Sequence, residues 1–158
     1  MTRTPLEIRL VHVAPKKGEE FKPYAYFGTQ KDKIYYDFNT DVKRRIEEIT
    51  DERAGKNKNI VDDLITLTIF SSSCPNLTLI DLPGITKVPL ENSDQPENIE
   101  QITKDLTKKY IKDSMCIILC VIPINQDLSV SDALQLSREY DKDGHRTFGV
   151  LTKIDIMD

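Results

Sequence analysis

The predicted order of strands and helices depends on the stretch LTLIDLPG at residues 77–84. Its first four residues are typical of a strand, and Asp81-Leu82-Pro83-Gly84 ends that strand abruptly. The pattern beyond it predicts a helix, a strand, a helix and a strand, over residues 96–112, 115–121, 131–140 and 146–151. A β-α-β-α-β order of this kind indicates a doubly wound α/β sheet, in which ligands bind at the carboxyl ends of the strands.

The part of the chain before residue 77 is also predicted to mix strands with a helix. Strands or extended segments are predicted over residues 6–12, 24–29, 34–38 and 64–70. Residues 41–53 are predicted to form a helix, because Val42, Ile46 and Ile49 recur at helical spacing. Either Thr40 or Asp41 could cap its start. Residues 115–121 are apolar at every position, which favours a strand covered on both faces.

The composition excludes several classes of protein. The chain has 158 residues and a net charge of −4, with 22 basic and 26 acidic residues, so it lacks the basic surface that nucleic-acid binding needs. The longest apolar run, residues 115–124, is half the roughly 20 residues that cross a bilayer. Residues 1–5 lack the apolar segment of a signal peptide. We therefore expect a cytoplasmic protein that does not bind nucleic acid.

The three cysteines do not have the spacing of a disulfide framework or a zinc site. Cys116 and Cys120 stand four residues apart in an apolar run without a nearby histidine, and Cys74 is remote from both in sequence. If residues 115–121 form a strand, Cys116 and Cys120 share one of its faces. We expect all three to be reduced thiols in a reducing compartment.

The segment Asp81-x-x-Gly84 has the residue types that hold a phosphate and its metal ion. A carboxylate at a strand end can bind a hydrated Mg²⁺. A glycine three residues later lets its backbone N–H approach a terminal phosphate, because no side chain intervenes. The alternative is an ordinary turn, for which Asp and Gly are also common.

The segment Thr152-Lys153-x-Asp155 suits recognition of guanine. A carboxylate can accept hydrogen bonds from N1–H and the 2-amino group of guanine, whereas adenine presents an acceptor at N1. The lysine stem can pack along the purine plane while its ammonium group stays in water. A plain polar loop remains the alternative for this segment taken alone. Its place after a strand in the same α/β pattern as Asp81 predicts a guanine site at one shared sheet edge.

Several stretches of the chain resemble the dynamin family of large GTPases. They are NLTLIDLPGITKVP at 76–89, DQP at 94–96, SDAL at 131–134, GVLTKIDIMD at 149–158 and TRTPL at 2–6. The resemblance implies a partial P-loop GTPase fold, with residues 1–158 forming a dynamin-type G domain from switch I through the guanine-specificity motif. It also implies GTP or GDP with Mg²⁺ as cofactor, homo-oligomerisation and, for the longer protein, membrane remodelling and family-level microtubule binding.

The resemblance implies a role for each matching residue. Thr2 would coordinate Mg²⁺ and act in catalysis as the switch-I threonine, and Asp81 would hold a water bound to the metal. Gly84 and Lys87 would act in GTP hydrolysis. Asp127 would contact the nucleotide of a partner G domain. The GTP-binding set would comprise Asp81, Leu82, Pro83, Gly84, Thr152, Lys153 and Asp155.

One expected motif does not occur in these 158 residues. The family has a strand followed by Gly-x-x-x-x-Gly-Lys-Ser, and here the six glycines stand apart at 18, 28, 55, 84, 144 and 149. We therefore expect an internal piece of a G domain that does not hydrolyse GTP by itself. The alternative is a non-catalytic interaction module with a G-domain-like fold. Because the missing strand would lie between the strand ending at Asp81 and residues 115–121, we expect these two strands either to become edges or to be forced together, which makes the isolated chain unstable or dimeric.

Overall fold

The structure, a computed structural model, describes residues 3–18, 20–55, 60–85 and 96–156. The chain divides into two compact units. The first contains the described residues up to Gly84 together with Pro96, and the second contains Ile85 and the described residues from Glu97 onward. Strands are both parallel and antiparallel, and helices lie between them in sequence. This mixed α/β fold agrees with the predicted partial P-loop GTPase class.

The first unit is built on a four-stranded mixed sheet. Its strands are β1 (Leu6–His12), β2 (Tyr24–Phe27), β3 (Ile65–Ser71) and β4 (Leu77–Asp81). Their order in the sheet is β2-β3-β1-β4. The pair β1–β3 is parallel, whereas β2–β3 and β1–β4 are antiparallel. The predicted strands are therefore confirmed here, except that residues 34–38 contribute only a single bridge between Ala25 and Tyr35.

The helical segment of the first unit, counted from a π-helical turn, begins earlier than its apolar spacing predicts. A π-helical turn at Phe38–Val42 leads directly into α1 (Lys43–Ala54). The carboxylate of Asp37 accepts hydrogen bonds from the backbone N–H groups of Asn39 and Thr40, at 3.0 and 2.9 Å. Asp37 therefore caps the π-helical turn, α1 itself follows Val42 without a side-chain cap, and the prediction of Thr40 or Asp41 was wrong. Helix and sheet share one apolar core, formed by Leu6, Ala25, Phe27, Val42, Ile49, Ile65 and Leu67.

The second unit combines two main helices with a two-stranded sheet. Its elements are α2 (Ile99–Ile111), β5 (Ile118–Pro123), α3 (Asp132–Tyr140) and β6 (Thr147–Thr152). Strands β5 and β6 are parallel, as a β-α-β connection requires. Their core consists of Ile111, Ile118, Cys120, Ile122 and Leu136. The predicted β-α-β-α-β order from residue 77 onward is thus confirmed.

The prediction that β5 is covered on both faces was wrong for the described part of the chain. Ile118, Cys120 and Ile122 are buried, but Leu119 and Val121 between them are 59% and 54% exposed. The core of this unit covers only one face of the strand, and no described element covers the other. Cys116 precedes β5, so it does not share a strand face with Cys120 as predicted. All three cysteines are free thiols.

Strands β4 and β6 belong to different described sheets. Among the described residues, β4 pairs only with β1, and β5 pairs only with β6. Strands β4 and β5 are therefore edge strands of their described sheets, which is one of the two outcomes that the missing strand implied. No described helix is long and apolar enough to cross a membrane.

Candidate functional site

The segment Asp81–Gly84 follows directly from the edge strand of the first unit. Asp81 is the last residue of β4 and pairs with Leu6 at the start of β1. Asp81 and Gly84 are exposed, while Leu82 is half-buried and Pro83 is buried. Leu82 and Pro83 therefore face the protein. Asp81 and Gly84, which are predicted to serve the metal ion and the phosphate, face solvent.

Gly84 is not required by local packing. A Cβ atom at this position would meet no atom of the described residues within 4 Å, and the φ of Gly84 lies outside the left-handed region. The usual structural reasons for glycine, a crowded backbone or a positive φ, therefore do not apply. Close approach of a ligand to the backbone N–H remains a physical reason for glycine at this point.

The carboxylate of Asp81 fits magnesium better than a metal held wholly by protein. No described group of three or more His, Cys, Asp or Glu side chains could hold a metal ion. Mg²⁺ commonly binds through one or two carboxylates and takes its other ligands from water and phosphate oxygens. A single exposed carboxylate three residues before Gly84 is compatible with that mode of binding.

The segment Thr152–Asp155 is held at the carboxyl end of β6. The N–H of Ile124 donates to the carbonyl oxygen of Thr152 at 2.9 Å. The hydroxyl of Thr152 lies 3.5 Å from the carbonyl oxygen of Ile122. Asp155 follows in a short 3₁₀ turn at Ile154–Ile156 and is exposed. The loop is thus tied to β5 at its beginning and presents its carboxylate side to solvent.

Lys153 has an unusual backbone conformation. Its φ is 57°, the only positive φ of a non-glycine residue in the described ranges. The left-handed conformation costs an L-residue about 1–2 kcal/mol. The N–H of Ile156 donates to the carbonyl oxygen of Lys153 at 3.2 Å, which closes the turn. Backbone strain of this kind is concentrated at functional sites, so this outlier marks the loop as a candidate site independently of its sequence.

The loop after β5 lies at the same edge of the two-stranded sheet. Pro123 at the end of β5 is paired with Thr152 at the end of β6. The loop then reaches Asp127, whose carboxylate accepts a hydrogen bond from the N–H of Ser129 at 2.8 Å. This hydrogen bond lowers the pKa of Asp127 below its ordinary value of 3.8. The structure therefore brings Asp127 and Thr152–Asp155 to one edge.

The other predicted site residues belong to the first unit or lie outside the described residues. Asp81, Leu82, Pro83 and Gly84 belong to the first unit, whereas Thr152, Lys153, Asp155 and Asp127 belong to the second. Thr2 and Lys87 lie outside the described residues.

Sequence reasoning missed a polar cluster at the opposite end of β6. The guanidinium of Arg146 donates to the carbonyl oxygens of Cys116, Ile111 and Tyr140, at 2.8, 2.8 and 3.0 Å. The carboxylate of Asp141 accepts from the N–H groups of His145 and Arg146, both at 3.0 Å, and from the hydroxyl of Thr147 at 2.6 Å. The only sequence signal is the turn-forming DKDG at residues 141–144.

The fold and these loops define the class of protein. The α/β elements and the strand-end motifs Asp81-x-x-Gly84 and Thr152-Lys153-x-Asp155 are those of a partial G domain of the P-loop GTPase class. A family model described as the Dynamin family matches residues 1–154. The chain therefore belongs to the dynamin family.

Individual relatives agree with this assignment. The chain is 45% identical to Dynamin-1-like protein of Danio rerio over 166 residues, which cover all of this chain and 24% of that protein. It is 44% identical to Dynamin-A of Dictyostelium discoideum over 159 residues, covering all of this chain and 18% of that protein. It is 44% identical to Dynamin-related protein 3A of Arabidopsis thaliana over 158 residues, covering 99% of the chain and 19% of that protein. The chain thus spans about a quarter or less of the length of these relatives.

Proposed function

We propose that this chain is the part of a dynamin-type GTPase that recognises guanine and contacts the terminal phosphate of GTP. The observation that carries the proposal is the Thr152-Lys153-x-Asp155 loop at the end of β6, with its exposed Asp155 and left-handed Lys153, in a chain that belongs to the dynamin family. In the longer protein, GTP hydrolysis would drive membrane remodelling, with the protein cytoplasmic and peripheral to membranes. Homo-oligomers would form through the G domains.

The base loop would select guanine by hydrogen bonding. The carboxylate of Asp155 would accept from N1–H and the 2-amino group, and the stem of Lys153 would pack against the purine plane. A site that matches the donors of guanine leaves buried groups unpaired when adenine enters, which makes discrimination large. Thr152 would hold the loop at the strand end through its contacts with β5.

The phosphate end would be served by residues of the first unit and by two further positions. Asp81 would orient a water bound to Mg²⁺, and the N–H of Gly84 would donate to the γ-phosphate. Thr2 would be a further metal ligand and Lys87 would assist hydrolysis. Asp127 would reach the nucleotide of a partner G domain. Mg²⁺, when bound, would neutralise charge that develops on the phosphate oxygens.

We further propose that the isolated 158-residue chain does not hydrolyse GTP. A P-loop supplies most of the backbone donors that hold the phosphates, together with a lysine, and these residues contain no Gly-x-x-x-x-Gly-Lys-Ser. The base loop and Gly84 alone offer too few contacts for tight binding. The competing function is a non-catalytic interaction module that keeps the G-domain-like fold but binds no nucleotide. The absence of Gly-x-x-x-x-Gly-Lys-Ser from these 158 residues also favours that function.

A chimera separates these two functions. The matching segment of Dictyostelium discoideum Dynamin-A is replaced by this chain, and fluorescent GTP is titrated onto both the chimera and the isolated chain. We expect saturable, Mg²⁺-dependent binding and GTP hydrolysis by the chimera, and neither by the isolated chain. A folded chimera that binds no GTP would support the interaction module instead.

The guanine loop is tested in the same chimera by Asp155→Asn. This change replaces one carboxylate oxygen by an NH₂ group. That NH₂ group would then face a donor of guanine, either N1–H or the 2-amino group. We expect GTP affinity to fall at least about a hundredfold, with a relative gain for xanthosine triphosphate, whose C2 carbonyl can accept. Asp143→Asn is the matched control, because Asp143 is also exposed and lies in the turn before β6. Equal effects of the two substitutions would contradict the assignment of Asp155.

A further inference from the structure

The first unit contains a cavity that the proposed nucleotide chemistry does not use. Its volume is about 480 Å³, within the range of roughly 300–1,000 Å³ that small-molecule sites occupy. Its apolar walls are Leu6, Phe38, Val42, Ile46 and Ile65. Its polar lining consists of Arg3, Thr4, Lys43, Glu47, Thr50 and Asp51. The cavity thus joins an apolar interior to a charged rim.

The charged groups at the rim differ in their exposure to solvent. The side chain of Arg3 is 18% exposed, whereas its ion-pair partner Asp51 is 69% exposed. Glu47 and Lys43 are both exposed. Solvent therefore screens the two acids well and Arg3 poorly. An anion in the cavity would gain more from Arg3 than it would lose to Asp51 and Glu47.

Among the described residues, the guanidinium of Arg3 also has hydrogen-bond donors without an acceptor. It carries five N–H donors in a planar fork. Asp51 Oδ1 is the only acceptor that the described residues provide for them. A poorly exposed donor without an acceptor is costly, and a carboxylate meets two guanidinium donors at once. The arginine is thus prepared for a second carboxylate.

We propose that this cavity binds a small monocarboxylic acid with an apolar body. The carboxylate lies on the guanidinium of Arg3 beside Asp51, and the apolar body lies against Leu6, Val42 and Ile65. Arg3 is the poorly exposed cation of this lining, whereas Lys43 is exposed, so the cavity favours a ligand with a single carboxylate. This site goes beyond the proposed function and needs no bound nucleotide.

The test uses the 158-residue chain and three probes with the same eight-carbon tail. Octanoate, octanol and octylammonium are titrated separately and followed by two-dimensional NMR and calorimetry. We expect octanoate to bind at least about tenfold more tightly than octanol, and octylammonium to bind most weakly. Shifts should centre on the amides of residues 3–6 and 42–51. Equal affinities for octanoate and octanol, or tighter binding of octylammonium, would overturn the proposal.

Two substitutions are expected to act in opposite directions. Arg3→Met should weaken octanoate at least about tenfold and leave octanol unchanged, because it removes only the charged donors. Asp51→Asn should strengthen octanoate, because it removes the negative charge that competes for Arg3. Arg44→Met is the matched control, since Arg44 lies on α1, pairs with Asp41 and does not line the cavity.

The Asp51→Asn result decides the matter even if Arg3→Met fails to fold. Loss of an ion pair that served only stability would leave octanoate binding unchanged or weaker in Asp51→Asn. Only competition for Arg3 predicts a gain. Unchanged or weaker octanoate binding in a folded Asp51→Asn chain would therefore refute the proposal.

Discussion

Arg146 is predicted to be the main polar anchor of the second unit. Its guanidinium joins the end of α2, at Ile111, to the segment before β5, at Cys116, and to the end of α3, at Tyr140. Its own position immediately precedes β6. Arg146→Ala removes all three contacts and leaves three carbonyl oxygens without this donor, so the four elements lose a shared connection.

The expected cost follows from the burial of these contacts. Hydrogen bonds to a charged group contribute about 1.5–3 kcal/mol each when buried. The bonds to Ile111 and Cys116 are part-buried, so their carbonyls can partly rehydrate, and about 1 kcal/mol each is a suitable value. The bond to Tyr140 is exposed and adds a few tenths. Arg146→Ala should therefore lower the free energy of unfolding by about 2–3 kcal/mol, a large share of the roughly 5–15 kcal/mol that stabilises a domain.

Urea titration at one low protein concentration measures this cost, with circular dichroism reporting helix content. Hydrogen exchange at the β5 and β6 amides then shows whether the loss falls in the second unit. Arg138→Ala is the matched control, because Arg138 is exposed on α3, and its effect should stay within about 0.5 kcal/mol. Arg146→Lys should fall between the two. If Arg146→Ala and Arg138→Ala were equal, the three contacts would not stabilise the unit and the reasoning would fail.

Three further predictions concern the second unit. The hydrogen bonds that Asp141 accepts from Thr147, Arg146 and His145 lower the pKa of its carboxyl group below the ordinary value of 3.8. These bonds therefore stabilise the folded state above pH 3.8, and that stabilisation is lost as the pH falls through the lower pKa of the folded state. In urea titrations, the free energy of unfolding should fall less below about pH 4 in Asp141→Asn than in the unmodified chain. Leu119→Glu should reduce self-association of the isolated chain in sedimentation experiments, because Leu119 is 59% exposed on an uncovered strand face; unchanged association would exclude that face. In thermal melts Lys153→Gly should leave stability unchanged or higher, whereas Lys153→Val should lower it, since φ is 57° and a β-branched side chain tolerates positive φ less well than lysine does.

Periodicity in the sequence predicted the elements of the fold well. The strand at residues 6–12 was predicted with its observed bounds, and the helix at 96–112 differs from α2 only at its ends. These predictions succeed because apolar spacing records which face of an element is buried. The coverage of β5 could not be predicted in the same way. Leu119 is as apolar as Ile118, and only the packed structure shows that one is exposed and the other buried.

The candidate site could be proposed from the chemistry of its residues, but its conformation could not. The residue types at Asp81, Gly84 and Asp155 pointed to phosphate, metal and base recognition because each has a distinct donor or acceptor. Their division between two units is not encoded in any local pattern. Likewise, nothing in the sequence around Arg146 indicates that its guanidinium reaches residues 30 and 35 positions earlier. Such contacts depend on how helices return to the sheet.

The two ends of β6 explain how a strained residue can persist at Lys153, in the loop that follows this strand. A left-handed lysine survives only where its surroundings determine the backbone more strongly than the strain opposes it. Arg146 and Asp141 fix the beginning of the strand through six hydrogen bonds, and the pairing with β5 continues to Thr152. The chain therefore reaches Lys153 from a fixed direction, and the turn to Ile156 completes the constraint. It follows that loosening Arg146 should relax Lys153, so that amide exchange in the loop rises in Arg146→Ala although the two residues stand at opposite ends of the strand.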